Sequence, residues 1–153
     1  MSTTTARRAG PPQLGSPVPP AAVTLLEQAR HGLREAVELP DAADRYAGAH
    51  LAALRASAAV LAARAHATDP RARRRRPTSA WVLLTAVAPE LGEWAAFFAA
   101  GASKRAAAEA GVQRAVTSRE ADDLVRDVQT FLALVETTLG LLPGPRLATA
   151  LAG

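Results

Sequence analysis

An all-α fold, an antiparallel bundle of four to five helices, follows from three features of the chain. Apolar residues recur at three- and four-residue spacing along every long segment, and no stretch reads as a strand. Helix-start chemistry stands at Asp41 and at Thr117 to Glu120, and helix stops stand at Pro40, Gly111 and Gly140. The connections are mostly short, which makes consecutive helices antiparallel neighbours.

Residues 1–20, rich in Ser, Thr, Pro and Gly, cannot form a buried face and are expected to be a disordered arm. The first helix begins at Pro19 or Pro20 and runs to about Leu39, with Leu26, Ala29, Leu33 and Ala36 or Val37 on one face. Asp41 caps the second helix, and Asp44 in its first turn opposes the positive end of the helix dipole. Ala47, Leu51, Leu54, Ala58, Leu61 and Ala65 alternate at four and three residues, the pattern of a packing seam. After His66 a loop carries the arginine run. Thr78 or Ser79 caps a short helix from Ala80 to about Val87, bearing Trp81, Leu83 and Leu84. Pro89 restarts the chain, and residues 90–101 are helical with Leu91, Trp94, Phe97 and Phe98. An alanine-rich continuation, Ala102 to Ala110, stops at Gly111. The final helix opens on the Thr117/Glu120 capping box and buries Ala121, Leu124, Val128, Phe131 and Val135. The helical domain thus spans residues 21–140, and residues 141–153, with Pro143, Gly144 and Pro145, form a loose tail.

A chain of 153 residues can bury a core of its own as one domain. It has no cysteine, which excludes disulfides, thiolate nucleophiles and cysteine-bound zinc. His31, His50 and His66 are too scattered for a metal cage, so neither metal nor other cofactor is expected. No apolar run follows Arg7 and Arg8, and the stretches 81–88 and 94–102 are shorter than the roughly 20 residues of a membrane span. The expected location is cytoplasmic. The net charge of +4 is local: Arg71, Arg73, Arg74, Arg75 and Arg76 stand together, and without them 13 basic residues face 14 acidic ones.

Four sets of residues offer chemistry. Arg45 and His50 could cleave RNA without a metal, His50 as general acid or base and Arg45 stabilising charge on the phosphorane. At about 100° per residue, positions five apart stand roughly 140° apart, so one helix does not aim both at one substrate. The plainer reading makes His50 a hydrogen-bonded residue at the edge of the core and points Arg45 at solvent; a dimer would be needed to assemble a site from two copies. The arginine run can neutralise several phosphates and bind nucleic acid without sequence preference, or serve as a solvated loop. Trp81, Trp94, Phe97 and Phe98 read as core rather than as a ligand pocket. Glu120, Asp122 and Asp123 read as ordinary partners of a helix N-terminus rather than as a Mg²⁺ site. No phosphate loop, nucleophile elbow or dinucleotide fingerprint is present.

The order of pieces resembles the HEPN domain, in particular its small stand-alone versions in high-GC bacteria. The likeness rests on the Tyr46-bearing alanine-rich helix, the basic linker, the Trp81 to Leu84 segment and the capped helix from Ala115 to Leu124 onward. It implies an all-α bundle, often dimeric, in a group whose active members are metal-independent ribonucleases of toxin and defence systems. Those members carry R-x(4–6)-H on a late helix. Here the spacing occurs at Arg45 and His50, on the second helix, and no histidine follows His66. That departure favours a non-catalytic module binding RNA, a nucleotide or a protein partner. Arg71, Arg73, Arg74, Arg75 and Arg76 would then contact phosphate, and Arg45, Tyr46 and His50 a ligand or partner, with ribonuclease action across a dimer, or a purely structural interaction role, as the alternatives.

Overall fold

The computed structural model describes residues 17–64 and 79–141. The arm's residues 1–16, the arginine run with His66, and residues 142–153 lie outside the described residues. Among the described residues the chain forms six helices and one 3-10 turn, with no strand. They are α1 (Pro20–Val37), α2 (Ala42–Ala63), α3 (Ala80–Val87), the 3-10 turn (Pro89–Leu91), α4 (Gly92–Ala100), α5 (Ala102–Glu109) and α6 (Ser118–Thr138). The helix read over residues 90–110 divides at Gly101, which lets α4 pack beside α3 while α5 lies against α2.

The local signals act as their chemistry dictates. The carboxylate of Asp41 accepts from the Asp44 N–H, and the Ser79 hydroxyl accepts from the Val82 N–H. At α6 both halves of the capping box form: Thr117 accepts from the Glu120 N–H, and Glu120 accepts from the Thr117 N–H. After α5 and α6 the backbone turns left-handed at Gly111 and Gly140, and the next N–H reaches back five residues, Val112 to Ala107 and Leu141 to Glu136.

Helix α2 is the centre of the bundle, packed against α1, α6, α5 and α3. Its inner face corrects the seam expected from the leucines. The buried positions are Arg45, Tyr46, Ala49, His50, Ala52, Ala53, Ala56, Ser57, Ala59 and Val60. Leu51 is 41% exposed, and Ala47, Leu54, Ala58 and Leu61 are only half-buried. The helix carries two offset small-and-apolar stripes, and neighbours close in on the one with the least bulk. Gly48 marks the closest approach: a Cβ there would stand 2.9 Å from the Ala36 Cβ on α1. By length and composition this 22-residue helix could also cross a membrane, although the sequence had pointed to 81–88 and 94–102 as the most apolar stretches. In this structure half of its apolar window is buried inside the bundle.

The flanking helices bring the bulk that α2 lacks. On α1 the buried positions are Ala22, Leu26, Ala29, Leu33 and Ala36, while Val37 faces out. All five expected α6 positions are buried, joined by Val125 and Leu132. Arg30 on α1 pairs with Glu136 on α6 at 2.6 Å, and Arg64 at the end of α2 reaches both Glu90, at 2.7 Å, and the Val87 carbonyl, at 2.9 Å.

Two substitutions separate the stripes of α2. Ala53→Leu forces bulk into a fully packed contact and is expected to lower stability by about 1–3 kcal/mol. Leu51→Ala trims a half-exposed side chain and should cost less than about 1 kcal/mol. Urea unfolding of both variants checks the order; a larger loss for Leu51→Ala would put the seam back on the leucines.

Candidate functional site

Arg45, Tyr46 and His50 stand on the first two turns of α2, and all three side chains are buried. Arg45 does not point at solvent: it is 8% exposed. Its guanidinium donates from Nε to Asp122 Oδ1 (3.1 Å), from Nη1 to the Leu39 and Pro40 carbonyls (3.0 and 3.1 Å), and from Nη2 to Ser118 Oγ (2.9 Å). One side chain thereby joins the α1–α2 turn to the first turns of α6. A rigid planar fork is the group that can reach four such acceptors at once.

His50 lies deeper, 1% exposed, edge-on to Trp81 and Phe98 with ring centroids 5.7 and 6.0 Å away. Its Nε2 stands 3.0 Å from the Phe98 carbonyl oxygen, which can only accept, so Nε2 carries the proton and Nδ1 is left as a bare lone pair. That Nδ1 is buried with no partner. Burial holds the imidazole below its ordinary pKa, reinforced by the Arg105 charge and opposed by the Phe98 carbonyl and Glu109. Tyr46 fills the space beside the α4–α5 corner. A Cβ at Gly101 would come within 2.9 Å of its hydroxyl, so the corner is glycine for want of room. Burial raises the Tyr46 pKa, with Lys104 opposing and Glu120 adding to the rise.

Arg45 and His50 are therefore committed to different neighbours, one to α6 and the interhelix turn, the other to α4. Open depressions on the described surface include two that bear on this question. One of about 510 Å³ is bounded by Asp41, Asp44, Glu109 and residues 111–116; the other, about 320 Å³, is bounded by Glu93, Trp94, Phe97 and Asp127. Neither is lined by Arg45, Tyr46 or His50.

The three acidic residues in the first turns of α6, Glu120, Asp122 and Asp123, each have a structural partner. Glu120 binds Lys104 at 2.6 Å, which together with the Thr117 N–H holds its carboxyl below the usual range and raises the lysine. Asp122 takes Arg45, and Asp123 pairs with Arg126. No group of three potential metal ligands occurs among the described residues.

The aromatic set divides. Trp81 and Phe98 stack at 5.0 Å in the core, and Phe98 meets Phe131 at the same distance. Trp94 is half-buried between Phe98 and Phe131, and Phe97 is 46% exposed at the groove between α4 and α6. The sequence reading grouped all four as core and missed that groove. Its signal was present in Glu93 and Phe97, one turn apart on a helix too short to bury every ring.

These features define an all-helical bundle built on a central small-residue helix, with an arginine and a histidine five positions apart inside its core. A family model described as SAV_6107-like HEPN matches residues 36–136. The chain belongs to the HEPN family, and the Arg45–His50 pair lies within the matched region. No curated protein and no solved structure matches it.

Two predictions follow from the burial of this pair. Arg45→Met removes the donors to Leu39 and Pro40 and to Ser118; water can reach the turn carbonyls, which limits the loss to about 2–3 kcal/mol. Arg45→Lys should recover less than half of it, because an ammonium cannot bridge the turn and α6; thermal denaturation checks both. For His50 the unfolded imidazole binds a proton below about pH 6.5 while the buried one does not, so stability falls as pH drops from 7.5 to 5.5. The slope cannot exceed ~1.4 kcal/mol per pH unit for one proton. His50→Gln, which keeps a donor for the Phe98 carbonyl, should flatten that slope in urea titrations; an unchanged slope would place the proton uptake elsewhere.

Proposed function

We propose that this HEPN chain is a non-catalytic binding module of the cytoplasm that takes RNA or a nucleotide through phosphate contacts from Arg71, Arg73, Arg74, Arg75 and Arg76. The observation that carries the reading is the burial of Arg45 and His50. Metal-independent cleavage needs a guanidinium with free donors beside the scissile phosphate and an imidazole within hydrogen-bond reach of the reacting hydroxyl. Here the guanidinium is bonded to four internal acceptors, and the imidazole is closed off behind Trp81 and Phe98. Both residues act on the fold, positioning α6 and α4 on α2, rather than on a ligand.

With that pair occupied, the dense basic run is the feature best suited to a polyanion. Five arginines in six residues offer sequence-independent contact whose strength depends on salt. In chain order the run lies between α2 and α3. Pairing of two copies would double the charge offered to one strand, and a homodimer is part of the proposal.

The experiment measures binding of a fluorescent single-stranded RNA to the full chain across salt concentrations. Five phosphate contacts predict a slope of log affinity against log salt of up to about −3.5. Replacing the five arginines with glutamine should abolish most of the affinity and flatten the slope. Unchanged affinity and slope in that variant would remove the run from the binding role. A metal-free cleavage assay on mixed RNAs accompanies it: cleavage by the wild type that disappears in His50→Ala, with the fold intact by circular dichroism, would replace the binding module with a ribonuclease.

A further inference from the structure

The groove between α4 and α6 has a chemistry different from that of the arginine run. Trp94 and Phe97 form a corner, their rings nearly perpendicular at 86° with centroids 6.1 Å apart. Glu93 and Asp127 complete the lining of this depression of about 320 Å³. Among the described residues neither carboxylate has an ion pair: Arg126, the nearest base on α6, is bound to Asp123. Asp127 is half-buried, and both its partial burial and the neighbouring Asp123 charge raise its pKa, with Arg126 opposing. A carboxylate in that setting is stabilised by an arriving cation.

Two aromatic faces beside two carboxylates that have no ion pair among the described residues make a receptor for positive charge. Aromatic faces attract cations through the ring quadrupole, and the half-buried Asp127 carboxylate and the exposed Glu93 carboxylate add charge-assisted hydrogen bonds. We propose that this groove docks an arginine side chain presented by a partner protein, with the guanidinium lying over the Trp94–Phe97 corner and donating to Asp127 and Glu93.

Charge selects that occupant. Nucleic acid is repelled, since its phosphates would meet Glu93 and Asp127. A second copy whose two-fold axis ran through the groove would bring the same carboxylates face to face. An uncharged apolar segment would cover Asp127 without pairing it, at the cost of burying a bare polar group. Arginine suits the site better than lysine because its plane stacks on a ring while its edge still reaches two acceptors, and because a guanidinium is more weakly hydrated than an ammonium. The inference stands apart from the proposed RNA role, which uses different residues of opposite charge.

The test uses the full ¹⁵N-labelled chain and three capped hexapeptides identical except at one position, which holds arginine, lysine or citrulline. Citrulline keeps the shape of arginine and lacks its charge. Titration should shift the indole N–H of Trp94 and leave that of buried Trp81 in place, with the arginine peptide binding roughly ten-fold more tightly than the citrulline peptide and more tightly than the lysine peptide. Asp127→Asn and Phe97→Ala, both at the groove surface, should each weaken arginine-peptide binding about five-fold while the circular dichroism spectrum is unchanged. Equal binding of arginine and citrulline peptides, arginine-peptide binding that ignores both substitutions, or no binding at all would each overturn the proposal. So would loss of self-association in Phe97→Ala with peptide binding intact, which would assign the face to a second copy.

Discussion

The rest of the structure depends on how little room α2 occupies. A central helix with neighbours on four sides can carry large side chains inward only where a neighbour leaves space, and small ones let the helix axes approach. From Ala49 to Ala59 the fully buried face is alanine and serine with the one exception of His50, and Gly48 admits the Ala36 methyl group of α1. The apolar area that such a face cannot supply comes from its neighbours, from Leu26 and Leu33 on one side and from Val128, Phe131 and Val135 on another. The bundle is bulky at its periphery and slender at its centre.

That inversion explains which parts of the fold were legible in the sequence. On α1 and α6 one stripe is large and apolar and the opposite face is charged, so the helical period alone names the buried positions, and the caps at Asp41, Ser79 and Thr117 follow from local hydrogen bonding. On α2 both stripes are apolar, and hydropathy prefers leucine to alanine. Burial there is settled by axis separation, a property of the partner helices that no window on α2 contains. The break at Gly101 was hidden for a related reason. The crowding that favours glycine at that corner comes from the Tyr46 hydroxyl, 55 positions earlier in the chain and adjacent only after folding.

The candidate site was legible as a set of residues and not as an arrangement. Arg45 and His50 stand out because charge and a titratable ring are rare on an alanine helix. The helical angle between them correctly separates their directions, and says nothing of what each meets. Arg45 meets Asp122 and Ser118, whose places at the start of α6 depend on the whole bundle closing. His50 meets the Phe98 carbonyl in the last turn of α4, which also accepts the Gly101 N–H and offers its second lone pair to the imidazole. Polar residues inside a helix contact are tolerated when their donors find acceptors, and the donors of these two find theirs at helix ends.

The same reasoning turns attention outward. With Arg45 and His50 turned inward, the exposed aromatic residue among the described ones is Phe97. Its neighbours on α4 are accounted for: Ala95 and Phe98 face the core, and Trp94 bridges Phe98 and Phe131. Residues 94 and 98 share one face of the helix, one turn apart, while position 97 is displaced to the edge of that face. A polar side chain there would serve the bundle equally well, because burying the ring fully would be worth about 1.5–3 kcal/mol and the fold collects only part of it. A single exposed ring needs no explanation by itself. A ring set perpendicular to a half-buried indole, with Glu93 and Asp127 at its rim and no base among the described residues to neutralise them, is a surface whose electrostatics are incomplete without a cation.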